Sequence, residues 1–269
     1  MEQIADSQKT PPWSSAVDPS TVYFYVEDLS GADNTLSIKK NADDAPTVEV
    51  FYSTDQTNWS SMGNTSTTAI TATIPANGKL YLKALVNAWS NTGNYNSINT
   101  TGNCNVGGNT MSLLYGDNFV SQTTLSADDT FIYLFYNSTN IVSAQNLVLP
   151  ATTLTYGCYS YMFERCTSLT TAPALPATTL TNYCYSNMFA YCGSLTQAPE
   201  LPATTLVFSC YKNMFRNCSA LTTAPALPAT TLDSSCYNGM FYGCTNLDSV
   251  TTYAQDISAS SCLTNWLNN

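Results

Sequence analysis

The sequence predicts an α+β protein: an N-terminal all-β sandwich followed by a short, capped solenoid of 26-residue units. Three observations predict it. Four near-identical copies of one 26-residue unit run from Leu149 to Asp248, and a fixed period of this length means units that bury their apolar faces against one another. Residues 21–86 carry short β-branched and aromatic runs separated by turn residues. Worn copies of the unit flank the four good ones, as the ends of a stack require.

Residues 1–20 hold two adjacent prolines and no periodicity, and are expected to form a flexible tail. The runs at 21–27, 35–40, 47–53, 68–74 and 79–86 predict strands. Between them SGADN, NADDAP, GNTST and PANGK predict turns. Strands at this spacing suggest a sandwich over 21–110. The Asn/Gly/Thr-rich stretch 87–109, with the solitary Cys104, predicts a loop.

The second region is expected over 111–269, with degenerate caps at 131–149 and 249–269. In the first cap Leu134-Phe135 stand where Met-Phe stand later, and Ser138 stands where the second cysteine would be. In the last cap Cys262 keeps the register and Trp266-Leu267 replace Met-Phe. Each full unit reads LPATTL, then C-Y-x-x-M-F-x-x-C, then Leu. Cys158, Met162 and Cys166 fall at i, i+4 and i+8, which predicts a short helix with one apolar face. Nine of the ten cysteines sit at repeat positions (Cys158, Cys166, Cys184, Cys192, Cys210, Cys218, Cys236, Cys244, Cys262). They are expected to form two buried structural ladders, with the parallel stacking of units opposing disulfides.

The pattern M-F-x-x-C-x-x-L followed by a Pro-containing strand resembles the BspA-type leucine-rich repeat, whose unit contains I-x-x-x-A-F-x-x-C-x-x-L. Cys158 takes the place of the Ile and Met162 that of the Ala, while Phe163, Cys166 and Leu169 match directly. The resemblance spans about residues 131–267. The LPATTL-bearing form is similar to a subfamily of gut Bacteroidales and the phages that infect them. It implies a curved leucine-rich-repeat domain used in adhesion or recognition, with no catalytic residue to carry over.

Composition excludes several functions. Asp and Glu exceed Lys and Arg by ten, and the eight basic residues are scattered, so no nucleic-acid partner is expected. No apolar run is long enough for membrane insertion. The absence of histidine removes Ser-His-Asp and Cys-His catalytic units and the common zinc sites. The acids of the repeats (Glu164, Glu200, Asp233, Asp248) are scattered, so no paired carboxylates for glycan hydrolysis are expected. Asp28, Asp33, Asp43 and Asp44 lack a calcium-loop pattern and are expected to be solvated turn residues. No enzyme, metal or cofactor is therefore expected.

The copies differ at a few positions, and those carry the candidate ligand contacts: Tyr156, Tyr161, Arg165, Tyr183, Asn187, Tyr191, Phe208, Lys212, Arg216 and Tyr242. Aromatic rings beside hydrogen-bonding side chains suit a glycan or a protein on a host surface. The expected setting is a virion surface, as a fibre or capsid decoration among other virion proteins of a phage infecting gut Bacteroidales. A Met start without a signal peptide and free thiols made in a reducing cytoplasm point there. Display of that kind implies a homo-oligomer, a trimer in fibres. The alternatives are a bacterial cell-surface adhesin whose leader is missing from this sequence, and, more remotely, a glycan-active enzyme.

Overall fold

The computed structural model describes residues 18–267. The expected tail up to residue 17 and the last two residues of the C-terminal cap lie outside the described residues. The fold is β-rich, with few helical residues.

Ten strands follow in chain order: β1 (Tyr25–Asp28), β2 (Asn34–Lys40), β3 (Glu49–Ser53), β4 (Ser60–Asn64), β5 (Ile70–Ile74), β6 (Lys79–Ala84), β7 (Ser90–Asn91), β8 (Asn94–Thr100), β9 (Cys104–Asn109) and β10 (Ile141–Val148). They form a six-stranded sheet, β10-β9-β1-β6-β3-β4, and a four-stranded sheet, β5-β2-β8-β7. The arrangement is sandwich-like. Alternation places Leu36 and Ile38 of β2 and Leu80, Leu82 and Ala84 of β6 inside, with Phe24, Val26, Trp89, Ile98 and Val106. Each large apolar side chain buried there is worth about 1.5–3 kcal/mol.

The expectation of a loop over 87–109 is corrected: β7, β8 and β9 lie there. Composition misleads because the polar residues are used internally. The buried Asn96 amide donates to the carbonyls of Pro46 (2.9 Å) and Trp89 (2.6 Å). The glycines of β9 answer a steric demand. A Cβ at Gly107 would collide with the Tyr25 ring, and one at Gly108, with φ of 75°, would strike the Tyr23 carbonyl.

The expected helix over Cys158–Cys166 is also corrected. Among the described residues the only α-helical turn is α1 (Ser112–Tyr115), outside the repeats. Each C-Y-x-x-M-F-x-x-C segment is instead a rung of consecutive turns. The amides of Ser160, Met162, Glu164 and Cys166 turn back to the carbonyls of Gly157, Tyr159, Tyr161 and Phe163. The intervening amides of Tyr159, Tyr161, Phe163 and Arg165 point along the stack to Cys184 (3.0 Å), Ser186 (2.9 Å), Met188 (2.9 Å) and Ala190 (2.9 Å) of the next unit. The reason is a left-handed residue at every fourth position: Gly157, Tyr161 and Arg165 have φ of 59°, 57° and 62°. A helix cannot pass through such residues. A four-residue turn period also puts i, i+4 and i+8 on one face, so Cys158, Met162 and Cys166 are buried as a helix would bury them.

The rungs stack. Phe135, Phe163, Phe189, Phe215 and Phe241 form one column with ring centroids 4.9 to 5.7 Å apart. Phe131, Tyr159, Tyr185, Tyr211 and Tyr237 form another, 5.8 to 6.1 Å apart. The nine repeat cysteines are buried and free, and so is Cys104. On the other flank single parallel bridges join Ser143, Thr171, Gln197 and Thr223 from unit to unit.

The two regions share one core. β10 pairs in parallel with β9 and bridges through Ser143 to Thr171 of the first full unit. The Ile98 amide of β8 donates to Leu134 of the first rung (2.8 Å), and Phe24 meets Phe135 at 5.9 Å. A boundary between residues 110 and 111 therefore falls within a continuous apolar cluster.

Candidate recognition face

The left-handed positions are among the positions at which the units differ. Down the stack they read Asp129, Gly157, Tyr183, Ser209 and Ser235 in one column; Tyr133, Tyr161, Asn187, Asn213 and Gly239 in a second; and Asn137, Arg165, Tyr191, Asn217 and Gly243 in a third. Asn, Asp and Gly are the residues that tolerate this conformation, whereas Tyr and Arg are uncommon there. Part of the variation is packing. A Cβ at Gly157 would strike Asp129 Oδ1, and those at Gly239 and Gly243 would strike the Oδ1 atoms of Asn213 and Asn217. At these three places an Asx side chain of one unit takes the space that a Cβ in the next would need.

The remaining variation gathers aromatic rings. Tyr133 stacks on Tyr161 at 4.6 Å with an interplanar angle of 20°. Tyr156 meets Tyr183 at 5.3 Å, and Tyr183 meets Phe208 edge-on at 5.2 Å. Tyr156 and Phe208 are 45% and 38% exposed, unusually open for large rings. Burial, then Glu164, then Tyr183 and Tyr156 raise the Tyr161 hydroxyl, so the two ring groups share one electrostatic neighbourhood.

Two further candidate pairs stack between units, Arg165 and Tyr191 in the third column and Arg216 and Tyr242 one residue before it. The Arg165 guanidinium lies 4.9 Å from the Tyr191 ring centre and that of Arg216 lies 4.7 Å from Tyr242, each a cation–π contact. Arg216 Nε is buried without a hydrogen-bond partner. Lys212 is half-buried, and its carbonyl accepts from the Asn187 amide at 2.8 Å. Asn187 departs from the expected exposed face: it is buried, and its side-chain amide donates to Ser186 Oγ at 2.9 Å.

Three residues that sequence reasoning missed extend the ring group into the sandwich. Tyr95 of β8 lies 4.5 Å from Tyr133 and 6.0 Å from Tyr136, and Tyr133 and Tyr136 meet edge-on at 5.2 Å. The one available signal was Tyr133 standing 28 residues before Tyr161 in the worn copy.

Compared with known proteins, the chain matches no family model, no curated protein and no solved structure.

The concave space lies elsewhere, on the flank built from the LPATTL segments. A shallow cleft of about 480 Å³ is lined by Gln145, Pro173, Pro176, Gln197, Pro199 and Pro202. None of the ten candidate residues lines it. Of the four turn aspartates of the first region, Asp33, Asp43 and Asp44 are exposed as expected and Asp28 is not. Asp28 is buried rather than solvated and accepts hydrogen bonds from Ser30, Gly31 and Asn77. Burial alone would raise its carboxyl, but these bonds outweigh it and hold the group at about 2. Among the described residues no three His, Cys, Asp or Glu side chains converge as a metal site, and no helix is long and apolar enough to cross a membrane.

Proposed function

We propose that the chain is a non-enzymatic recognition protein displayed on a surface, its repeat half a capped leucine-rich solenoid of the BspA type. One observation carries the reading: what repeats is buried core, and part of what varies reaches solvent, including the rings of Tyr156, Tyr183 and Phe208. Such an arrangement is a rigid scaffold with a changeable face, the usual logic of extended repeat surfaces. The partner is a glycan or protein of a host surface.

The proposed setting is the virion of a phage infecting gut Bacteroidales, as a fibre or capsid decoration. Ten free, buried thiols suit a protein folded in a reducing cytoplasm before release. The test uses labelled full-length protein on intact Bacteroidales cells, with antibodies to the protein applied to virions. Saturable cell binding and decorated virions are expected. Antibody decoration of uninfected cells alone would replace the virion with the bacterial surface, and hydrolysis of a glycan by purified protein would overturn the non-enzymatic reading.

A further inference from the structure

We infer that the aromatic strip crossing from the sandwich into the first repeats is a binding site for a neutral, hydroxyl-rich oligosaccharide. The inference rests on the recognition reading above and gives that reading a location and a ligand chemistry.

The strip is assembled from two parts of the chain that are distant in sequence. Tyr95 comes from β8, Tyr133 and Tyr136 from the first cap, and Tyr161 from the first full unit, with successive ring contacts of 4.5 to 6.0 Å. Tyr156, Tyr183 and Phe208 form a second ring group over the first three full units, which neighbours the first at Tyr161 without ring-to-ring stacking. The four cross-region tyrosines are all half-buried, so their rings are held by packing and lose little freedom on binding. Preorganised rings carrying hydroxyls offer an apolar surface for the C–H faces of a sugar and hydrogen bonds for its hydroxyls.

Charge selects among ligands. Glu164 lies in this neighbourhood, half-buried and without an ion pair or side-chain hydrogen bond among the described residues. Burial raises its carboxyl, with Arg165 partly opposing the shift. Its field contributes to raising Tyr95, Tyr133 and Tyr161, after burial in each case. A partly desolvated acceptor without a partner is satisfied by hydroxyl donors. Asp128 and Asp129 lie close by in the same first rung, and the chain carries a net charge of −10. Sulfated, sialylated or uronic-acid glycans are opposed by that charge. The same charge would favour a basic peptide, but the feature the strip mainly presents is a row of tyrosine rings and hydroxyls, which suits a sugar.

The test is a glycan array of neutral and acidic oligosaccharides probed with the full-length protein. Calorimetry then follows on the strongest neutral binder with Tyr95→Ala, Tyr161→Ala and Tyr156→Ala. Neutral glycans are expected to dominate the array, and each variant is expected to weaken binding by about tenfold or more. Tyr156 is exposed enough that its truncation leaves the melting temperature unchanged, which keeps the outcome clear of misfolding. Neutral-glycan binding unchanged in all three variants would overturn the site. A preference for acidic glycans or basic peptides would overturn the ligand class. Binding lost instead on Gln197→Ala would move the site to the proline flank and leave the recognition reading standing. Cell binding without any glycan binding would sink this inference alone, and absence of both would sink the recognition reading with it.

Discussion

The Cys166 thiol donates to the carbonyl of Phe135 at 3.1 Å, and the bond recurs unit by unit from Cys192 to Phe163, Cys218 to Phe189 and Cys244 to Phe215. The second cysteine of each unit thus fills a small apolar volume and gives a second hydrogen bond to a carbonyl of the preceding rung that already accepts a backbone amide. In the first rung Ser138 holds this position, because there the neighbour is β8 and the acceptors are the Ile98 carbonyl and Asn99 Oδ1.

Removing the donor should therefore cost more than removing the sulfur. Cys192→Ala removes the second hydrogen bond to the Phe163 carbonyl, which the Cys166 amide still engages, and empties a small buried volume, so it is expected to destabilise by about 0.5–1.5 kcal/mol. Cys192→Ser keeps a donor and should fall between wild type and the alanine variant. Thermal melts of the three proteins decide it, and equal melting temperatures for the serine and alanine variants would refute the bond's contribution.

The pairing of Asn213 with Gly239 predicts a coupled pair of substitutions. Gly239→Ala adds both the cost of a left-handed alanine at φ 63° and a collision with Asn213 Oδ1, together about 1–3 kcal/mol or more. Asn213→Gly removes only the collision, so the double variant should recover part of the loss. A double-mutant cycle by denaturation measures the coupling, and strict additivity would contradict the proposed contact.

Burial holds nine of the ten thiols above their ordinary range: Cys104, Cys236 and Cys244 are pushed up to about 11 and Cys158 to about 12, with Cys166, Cys184, Cys192, Cys210 and Cys218 also raised. Below about pH 8.5 both folded and unfolded chains keep these protons, and the thiols make no difference with pH. Above it the unfolded chain releases protons that the folded chain retains, so stability falls as pH rises from about 8.5 towards 11. Melting temperatures from pH 7 to 10 should be level and then decline. In the native state at pH 8 a thiol reagent should react slowly or not at all.

The shared core predicts that the repeat region does not fold alone. A 111–269 fragment loses β9, the partner of β10, and uncovers Phe135 by removing Phe24 and β8. Its circular dichroism should show an unfolded or aggregated chain, while the full chain melts cooperatively. A soluble fragment with a sharp melt would contradict the continuity of the core.

Much of this was legible in the residues. The alternation in β2 and β6 marks their buried faces, and the 26-residue period marks the positions that bury Met162, Phe163 and both cysteine ladders. The rung's backbone was not legible from apolar spacing, since a helix and a four-residue chain of turns put Cys158, Met162 and Cys166 on the same side. The discriminating signal lay in the last two full units, where Asn213 and Asn217, and Gly239 and Gly243, are left-handed formers four residues apart. β8 and β9 were hidden because Asn96 spends its amide inside and Gly107 makes room for Tyr25, neither of which composition reveals. The aromatic strip was half legible: Tyr156, Tyr161, Tyr183 and Phe208 vary between copies, whereas Tyr95 joins them only through tertiary packing.

The central claim is that the repeating positions are scaffold and the varying ones carry recognition. It is tested most directly by the affinity of full-length protein for intact host cells, wild type against the Tyr156→Ala, Tyr183→Ala, Tyr191→Ala triple variant. The account predicts a loss of about tenfold or more at a nearly unchanged melting temperature. Wild-type affinity in the folded triple variant would contradict it.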